Sequence, residues 1–560
     1  MVRRILEKLT APVRGLHQAA YVLAGLTLAS QALALLRDRL FAHAFGAGEV
    51  LDLYYAAFKV PDLVFALVAS LVSAYVLIPR IAGASKEDSR KLLSQTASFL
   101  FIAGGALCLA LAFFAPSILF ALFPQTQVSP LAADFVTLGR LLLIQPILLG
   151  LSGIITSVTQ VERRFVLFAL SPVLYNLGII AGSVFLYPVY GLPGIGMGVV
   201  AGAVLHLLVH IPVVAKAKLI PRLVIPSPRV ILSVIADSVP RSLALAMGSL
   251  TTLLLIMLAA GTGKGSVSVF TLAGNLAAVP LSLIGASYAT AAFPVLAESI
   301  EAKKFDAFRA TLSAAARHII FWSAIVSVLT LVLRAHIVRI LLGTGAFDWN
   351  ATRLTAAILA LLILALMAQG LVLLASRAFY AAQKSWNPLL IQIAGAIISV
   401  AGAWGALALA DAVPAVRYFV ESLLRVEDVD GSGILLIAFG AAAGQIVTGI
   451  LALITLRTVA PGVAHSLLRP MFEGLGAAIL GGAAAYGVLS FAGNLAPATT
   501  LIVIFLEGAM AGMVGLTVAG AVLFLLENRE FKDLIDSLKR MQVSKALKPS
   551  GAVLSDHSAS

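Results

Sequence analysis

Fourteen long apolar runs, each parted from the next by charge, glycine or proline, leave this chain few ways to fold. A hydrocarbon core of about 30 Å takes roughly 20 apolar residues of helix to cross. Backbone polar groups in lipid must be satisfied within their own segment. Runs that meet both conditions lie at 19–43, 50–79, 92–123, 131–158, 165–187, 191–215, 229–260, 265–297, 312–333, 351–380, 388–410, 434–457, 472–493 and 498–527. The reading is an all-α polytopic membrane protein of about 14 transmembrane helices. Composition agrees: 60% of the 560 residues are hydrophobic and 12% charged, where soluble domains carry about 25% charged residues. The first run follows a basic start but has no small-residue cleavage site and continues as a long helix, so it does not read as a signal peptide.

The net charge of +13 would point to nucleic acid in a soluble protein. Here the basic residues lie between apolar runs, with no RNP-like or zinc-finger pattern, and no nucleic-acid partner is expected. An even helix count puts both termini on one side. About 27 of the 39 Lys and Arg fall on that side and about 6 on the other, so both termini are expected in the cytoplasm. Arg3, Arg4, Lys86, Arg90, Lys91, Arg163, Arg164, Lys216, Lys218, Lys303 and Lys304 carry the bias, together with the tail from Arg529 to Lys548. Residues 1–18 read as a basic amphipathic segment along the cytoplasmic interface. Asp411 to Gly433 reads as the longest external loop, and the last ten residues as disordered.

An internal repeat divides the chain. Val60-Pro61 recurs as Val279-Pro280, Ile78-Pro79 as Phe293-Pro294, and Ser171-Pro172 with Asn176 as Asn387-Pro388. The offset is about 216 residues, about six helices, which makes the repeat parallel, about an axis along the membrane normal. The expected units are a six-helix N-lobe at 19–215, a six-helix C-lobe at 216–457, two extra helices within 458–527 and a tail at 528–560. Two lobes facing a cavity form an alternating-access design.

Charges inside apolar runs face a cavity or a partner. The first helix carries Arg37, Asp38 and Arg39, and the second Asp52, Lys59 and Asp62. Arg140 lies in the fourth, Asp237 and Arg241 open the seventh, and Glu507 is in the fourteenth. Cations at membrane depth suit an anionic substrate, which singles out Arg37 and Lys59, with Asp52 positioning or releasing Arg37. The competing reading pairs Arg37 and Arg39 with Asp38 or Asp52, or lets them snorkel. Arg241 stands four residues after Asp237, the spacing of a local ion pair. His206 and His210 share that spacing but lack a third ligand, so no metal is expected. Gly194, Gly198 and Gly202 form a run for close helix packing. Cys108 is the single cysteine and excludes an intrachain disulfide. No Walker A, HExxH, GxSxG or EF-hand constellation is present, so neither catalysis nor a cofactor is expected.

The block Leu35-Leu36-Arg37-Asp38, Phe45-Gly46-Ala47-Gly48, Asp52 and Ala57-Phe58-Lys59-Val60-Pro61-Asp62-Leu63 resembles the MurJ (MviN) family, the lipid II flippases of bacterial peptidoglycan synthesis. Ser171 to Asn176 is similar to its fifth-helix motif, and Arg377-Ala378-Phe379-Tyr380-Ala381 to its motif after the tenth helix. The resemblance covers roughly residues 20 to 525 and implies the MOP exporter fold, two six-helix lobes plus a terminal pair forming a groove for a polyprenyl tail. It implies an anionic lipid-linked cargo moved from the inner to the outer leaflet of the bacterial inner membrane. Membrane lipids, and possible cell-wall synthesis proteins, are the implied partners. Arg37, Asp52, Lys59 and Ser268 match the family's cavity positions. Gln31, Phe65 and Asn275 stand where the family has arginine, and Arg241 or Arg140 would have to supply the missing charge. That loss leaves two alternatives open: another lipid-linked oligosaccharide as cargo, or a transport-incompetent membrane scaffold.

Overall fold

The computed structural model describes residues 16–68, 74–495 and 500–536; the segment before Leu16 and the tail after residue 536 lie outside the described residues. Among the described residues the chain is helical throughout, without a β-strand. The spans are α1 (Leu16–Phe45) and α2, which runs as Glu49–Ala57, Lys59–Val68 and Ala74–Ala82. Next come α3 (Lys86–Phe113), α4 (Ala132–Val161), α5 (Val166–Tyr190), α6 (Leu192–Ala217) and α7 (Pro228–Ala260). Then follow α8 (Ser266–Glu301), α9 (Phe305–Leu341), α10 (Trp349–Ile363 and Leu366–Ala381), α11 (Trp386–Ala412) and α12 (Ile434–Leu456). The last two are α13 (Val463–Gly493) and α14 (Leu501–Leu525).

Eleven of these are continuous helices long and apolar enough to cross a membrane, and α10 is a pair bent by 47°. With α1 and α2 they stand at the fourteen predicted positions. The bend in α10 is absent from the sequence reading because the apolar run is unbroken there. The loop predicted between α11 and α12 contains a helix, Pro414–Leu424, started by proline at its first position, where the missing N–H has no partner to lose.

The repeat appears in the packing. In the first half α1 packs on α5, α5 on α6, α4 on α6 and α2 on α4; each pairing recurs six helices later, as α7 on α11, α11 on α12, α10 on α12 and α8 on α10. The α5–α6 contact explains the glycine run. A Cβ on Gly178 would fall 2.3 Å from the Gly202 Cα, and one on Gly182 2.5 Å from the Gly198 Cα, so the two backbones touch. In the second half α11 meets α12 in the same manner, through Gly395, Ser399, Gly440 and Gly444. The last two helices pair with each other and lie on α9.

The core is divided unevenly between the two faces of the membrane. On the face opposite the termini, one continuous cluster draws on both lobes, including Phe41, Tyr54, Phe123 and Phe135 of the first and Leu253, Phe270, Val338 and Phe347 of the second. On the termini face the clusters are separate, one centred on Leu296, Phe308, Ile319 and Phe379, the other on Leu77, Leu93, Leu100 and Ile154. Apolar burial therefore fuses the lobes at one end, while at the other the two clusters stay apart, the first of the lobes borrowing Val234 of α7 for its own.

Candidate functional site

The fused end is closed by backbone as much as by side chains. Gly46, with φ +61°, lies so close to the other lobe that a Cβ would sit 2.5 Å from the Ala346 oxygen. Gly265, with φ +86°, is equally close to the Ala47 oxygen. The Ala346 N–H donates to the His43 carbonyl at 2.9 Å. Only glycine combines this left-handed backbone with such an approach.

Asp52 locks the seam. It sits in the first turn of α2, and its carboxylate reaches across to the start of α8. Oδ2 accepts from the Gly265 N–H at 2.6 Å, and Oδ1 from the Ser268 N–H at 2.7 Å and the Ser268 hydroxyl at 2.5 Å. The first N–H groups of a helix lack intrahelical partners and carry the positive end of its dipole, so an anion belongs there. Asp52 is thus the cap of α8, supplied by the other lobe, and does not position Arg37 as the sequence reading expected. Ser268, singled out with it, is its partner. Beside them Lys264 pairs with Glu49 at 3.2 Å, and Ser129 donates to the same carboxylate.

Below this seal lies a polar layer. Arg37 donates from Nε and Nη2 to Asp38 Oδ1 at 3.0 and 2.7 Å, and from Nη1 to Asn176 Oδ1 at 3.0 Å. Asp38 Oδ2 accepts from Asn275 Nδ2 at 2.9 Å. One chain of bonds therefore runs from α5 through α1 to α8. The pairing of Arg37 with Asp38 was one of the two sequence readings. Arg39 turns away and donates to the Ile340 carbonyl at the end of α9, a cation at a helix C-terminus. Asn176 was visible within a motif but had no assigned role until the fold brought α5 against α1.

Lys59 lies ten residues along α2, about 15 Å deep at 1.5 Å per residue. It lines a cavity of about 440 Å³ between α2 and α7, with Asp62, Phe65 and Ala66 on one side and Leu245, Gly248, Ser249 and Thr252 on the other. Asp62 stands three residues on in the same helix and lines the same cavity. Gln31 meets Ser282 of α8 at 3.4 Å. The two remaining arginines do not join this group. Arg140 donates to the Ala112 carbonyl at the end of α3, 3.0 Å away. Arg241 lies over the Tyr380 ring, 6.0 Å from its centroid. Its expected partner Asp237 pairs instead with Arg80 of α2 at 2.5 Å, because that guanidinium also donates to the Ser233 hydroxyl and carbonyl, both at 3.1 Å. Periodicity along one helix could not reveal a partner on another.

The two flanks of the interface differ. α2 packs along α7 and is tied to it by Arg80, while among the described residues α1 and α8 make a sparser contact, around Asp38–Asn275 and Gln31–Ser282. Next to this sparse contact is an apolar cavity of about 320 Å³ lined by Leu35, Leu276, Pro280, Leu283, Trp322 and Val326. His206 and His210 are hydrogen-bonded to Ser152, Thr156 and Thr159 of α4. No cluster of metal-ligating side chains occurs among the described residues.

Two repeated lobes, sealed on one face and separately packed on the other, define an alternating-access membrane transporter fold. Solved structures share it. An inward-facing multidrug resistance MATE family transporter of the MOP superfamily matches with a TM-score of 0.61 at 17% identity, over 80% of this chain and 98% of that one. A lipid II flippase MurJ in an inward closed conformation matches with a TM-score of 0.71 at 18% identity, over 91% of this chain and all of that one. The family model described as lipid II flippase MurJ matches residues 41–416, and the chain belongs to that family. The lipid II flippase MurJ of Burkholderia cenocepacia is 28% identical over 400 residues, 69% of this chain and 77% of that protein. The Thermotoga maritima protein named probable lipid II flippase MurJ is 25% identical over 418 residues, 72% and 83% of the two chains. The chain is accordingly a multi-pass protein of the bacterial inner membrane.

Proposed function

We propose that this chain carries lipid II, a polyprenyl pyrophosphate bearing a disaccharide pentapeptide, from the cytoplasmic to the outer leaflet by alternating access, without a covalent step. The observation that carries the reading is the divided core: one fused cluster at one face and two separate clusters, bridged where α7 lies on α2, at the other. The basic loops support a cytoplasmic termini face, and with that orientation this conformation is shut to the outside. A bare pyrophosphate cannot enter hydrocarbon, where an isolated charge costs tens of kcal/mol. Lys59 supplies a cation at mid-depth, and the sparse α1–α8 flank leaves a path for the prenyl chain into the membrane. Arg37 and Asn275 hold the polar layer above it. Helices α13 and α14 extend the apolar surface along which the tail would lie. The basic tail from Arg529 to Lys548 is the segment offered to cell-wall synthesis proteins.

Lipid II flipping in proteoliposomes tests the reading. A charge-assisted contact contributes about 1.5–3 kcal/mol, so Lys59→Ala lowers the rate at least about tenfold; an unchanged rate removes Lys59 from the site. A second cargo, another polyprenyl-linked oligosaccharide, is favoured by the cavity lining, where Lys59 is accompanied by Asp62 and the neutral Phe65. A well-expressed chain that fails to rescue a flippase-depleted strain would select it.

A further inference from the structure

A cavity that plays none of these roles lies on the external face, outside the seal. It measures about 520 Å³, and its walls come from the start of α2, the α3–α4 connection and the α7–α8 hairpin, with Glu49, Asp52, Phe123, Val128, Lys264 and Val267 among the lining residues. That volume falls within the roughly 300–1,000 Å³ of small-molecule sites. Three features narrow what it takes. Its lining is mainly apolar, with Phe123 fully buried as one wall. Its charged groups are two carboxylates against one ammonium. The Asp52 carboxylate accepts only from neutral donors, two N–H groups and a hydroxyl. The Lys264 ammonium is largely exposed and already held by Glu49. An anion would have to displace Glu49 from Lys264 to bind, whereas a cation adds to an excess of negative charge.

We propose that this cavity is a binding site for an organic cation, an ammonium on a compact apolar body, and that its occupancy holds the external seam shut. The walls belong to both lobes, so parting them destroys the cavity, and a ligand bound only by the closed form stabilises that form. The locking half rests on the alternating-access reading; the binding half does not.

The test uses the full chain in nanodiscs, with benzyltrimethylammonium and benzenesulfonate as probes of similar size and opposite charge, in titration calorimetry. Val128 is 89% exposed at the mouth of the cavity and takes no part in the seam bonds, so Val128→Trp fills the mouth from outside. The cation is expected to bind at least tenfold tighter than the sulfonate, and Val128→Trp to weaken it at least tenfold. In proteoliposomes the cation slows lipid II flipping by the wild-type chain and leaves Val128→Trp unaffected. Equal binding of the two probes, or cation binding indifferent to Val128→Trp, overturns the site, whatever the chain transports. Binding on the wild-type chain without any effect on flipping overturns the lock, while the cargo assignment stands or falls on Lys59→Ala.

Discussion

Removing the Asp52 carboxylate should release the external seam. Asp52→Ala leaves the Gly265 and Ser268 N–H groups and the Ser268 hydroxyl without their acceptor, at contacts of 2.5 to 2.7 Å. Hydrogen bonds to a charged group contribute about 1.5–3 kcal/mol each, and three that share one carboxylate are not additive. About 3 kcal/mol is a conservative total. In the open form the carboxylate and the helix end are both hydrated, so the loss falls on the closed form. At 1.36 kcal/mol per tenfold, the closed-to-open ratio drops by about 10². A chain that is closed 99 times in a hundred would become an even mixture. The assay is pulsed electron–electron resonance between nitroxides on Val128→Cys and Asp430→Cys, exposed on external loops of the two lobes, in a Cys108→Ala background. The wild type gives one short distance, and Asp52→Ala adds a longer one of comparable weight. Asp52→Asn, which keeps an acceptor but loses the charge, falls between them. A distance distribution unchanged by Asp52→Ala refutes the claim that this cap governs the seam.

Three further outcomes follow from the same geometry. Arg37→Ala leaves Asp38 buried with only the Asn275 amide, and breaking a buried pair this way costs about 3–5 kcal/mol; thermal unfolding in detergent should drop sharply, with Asp38→Asn in the same chain restoring part of it. Gly265→Ala places a Cβ 2.5 Å from the Ala47 oxygen at φ +86° and should populate the long distance, while Gly462→Ala, at φ +87° with nothing within 4 Å, should leave the distances unchanged. On the external loop, the Arg353 guanidinium holds the Asp428 carboxyl below its usual range. A lowered folded value means the tether is fully present above the ordinary carboxylate value of about 3.9 and is lost as pH falls through the lower one; protection against hydrogen exchange at 425–433, taken relative to the intrinsic rate at each pH, should therefore fall only in acid.

The helices were legible because membrane spans announce themselves by length and apolarity, and the repeat was legible because its prolines kept their spacing. The Arg37–Asp38 pair could be read from adjacency alone. Asp52 could not. In sequence it stands 15 residues after Arg37, which made that arginine its natural partner, and its true partners lie 213 and 216 residues away on the other lobe. Arg140 and Arg241 stay open in sequence for a related reason: each lies in a helix next to the interface, but the sequence does not give the rotation of a helix that is apolar on every side. Arg80, which ties α2 to α7, carries no sign of that role in the sequence, because its partners lie on another helix. The seam glycines sat in plain view in Phe45-Gly46-Ala47-Gly48 and Gly263-Lys264-Gly265, yet a glycine run does not say which backbone it approaches.

The departures from symmetry matter as much as the repeat. Asp52 and Ser268 are separated by 216 residues, within the spread of 215 to 219 in the repeat's own pairs, so the bond that closes the seam joins the first turns of corresponding helices in the two lobes. A perfect repeat would set carboxylate against carboxylate there, and two like charges at contact disfavour each other's ionised form. A serine in the second copy turns that repulsion into a cap. Lys59 and Asn275 stand at the same separation, so at mid-depth the first lobe presents a cation where the second presents an amide. If the head group binds beside Lys59, it is attracted mainly to the first lobe, because the facing wall of that cavity, Leu245, Gly248, Ser249 and Thr252, carries no charge. When the lobes part on the external face, it need break only hydrogen bonds with the second lobe, and the opposing ion pair that would hold the cavity shut around it is absent from these two positions. A symmetric pair of lysines would bind the anion more tightly and bridge the lobes through it. The unequal pair binds less and lets them separate, which is the balance a carrier requires if its cargo is to leave.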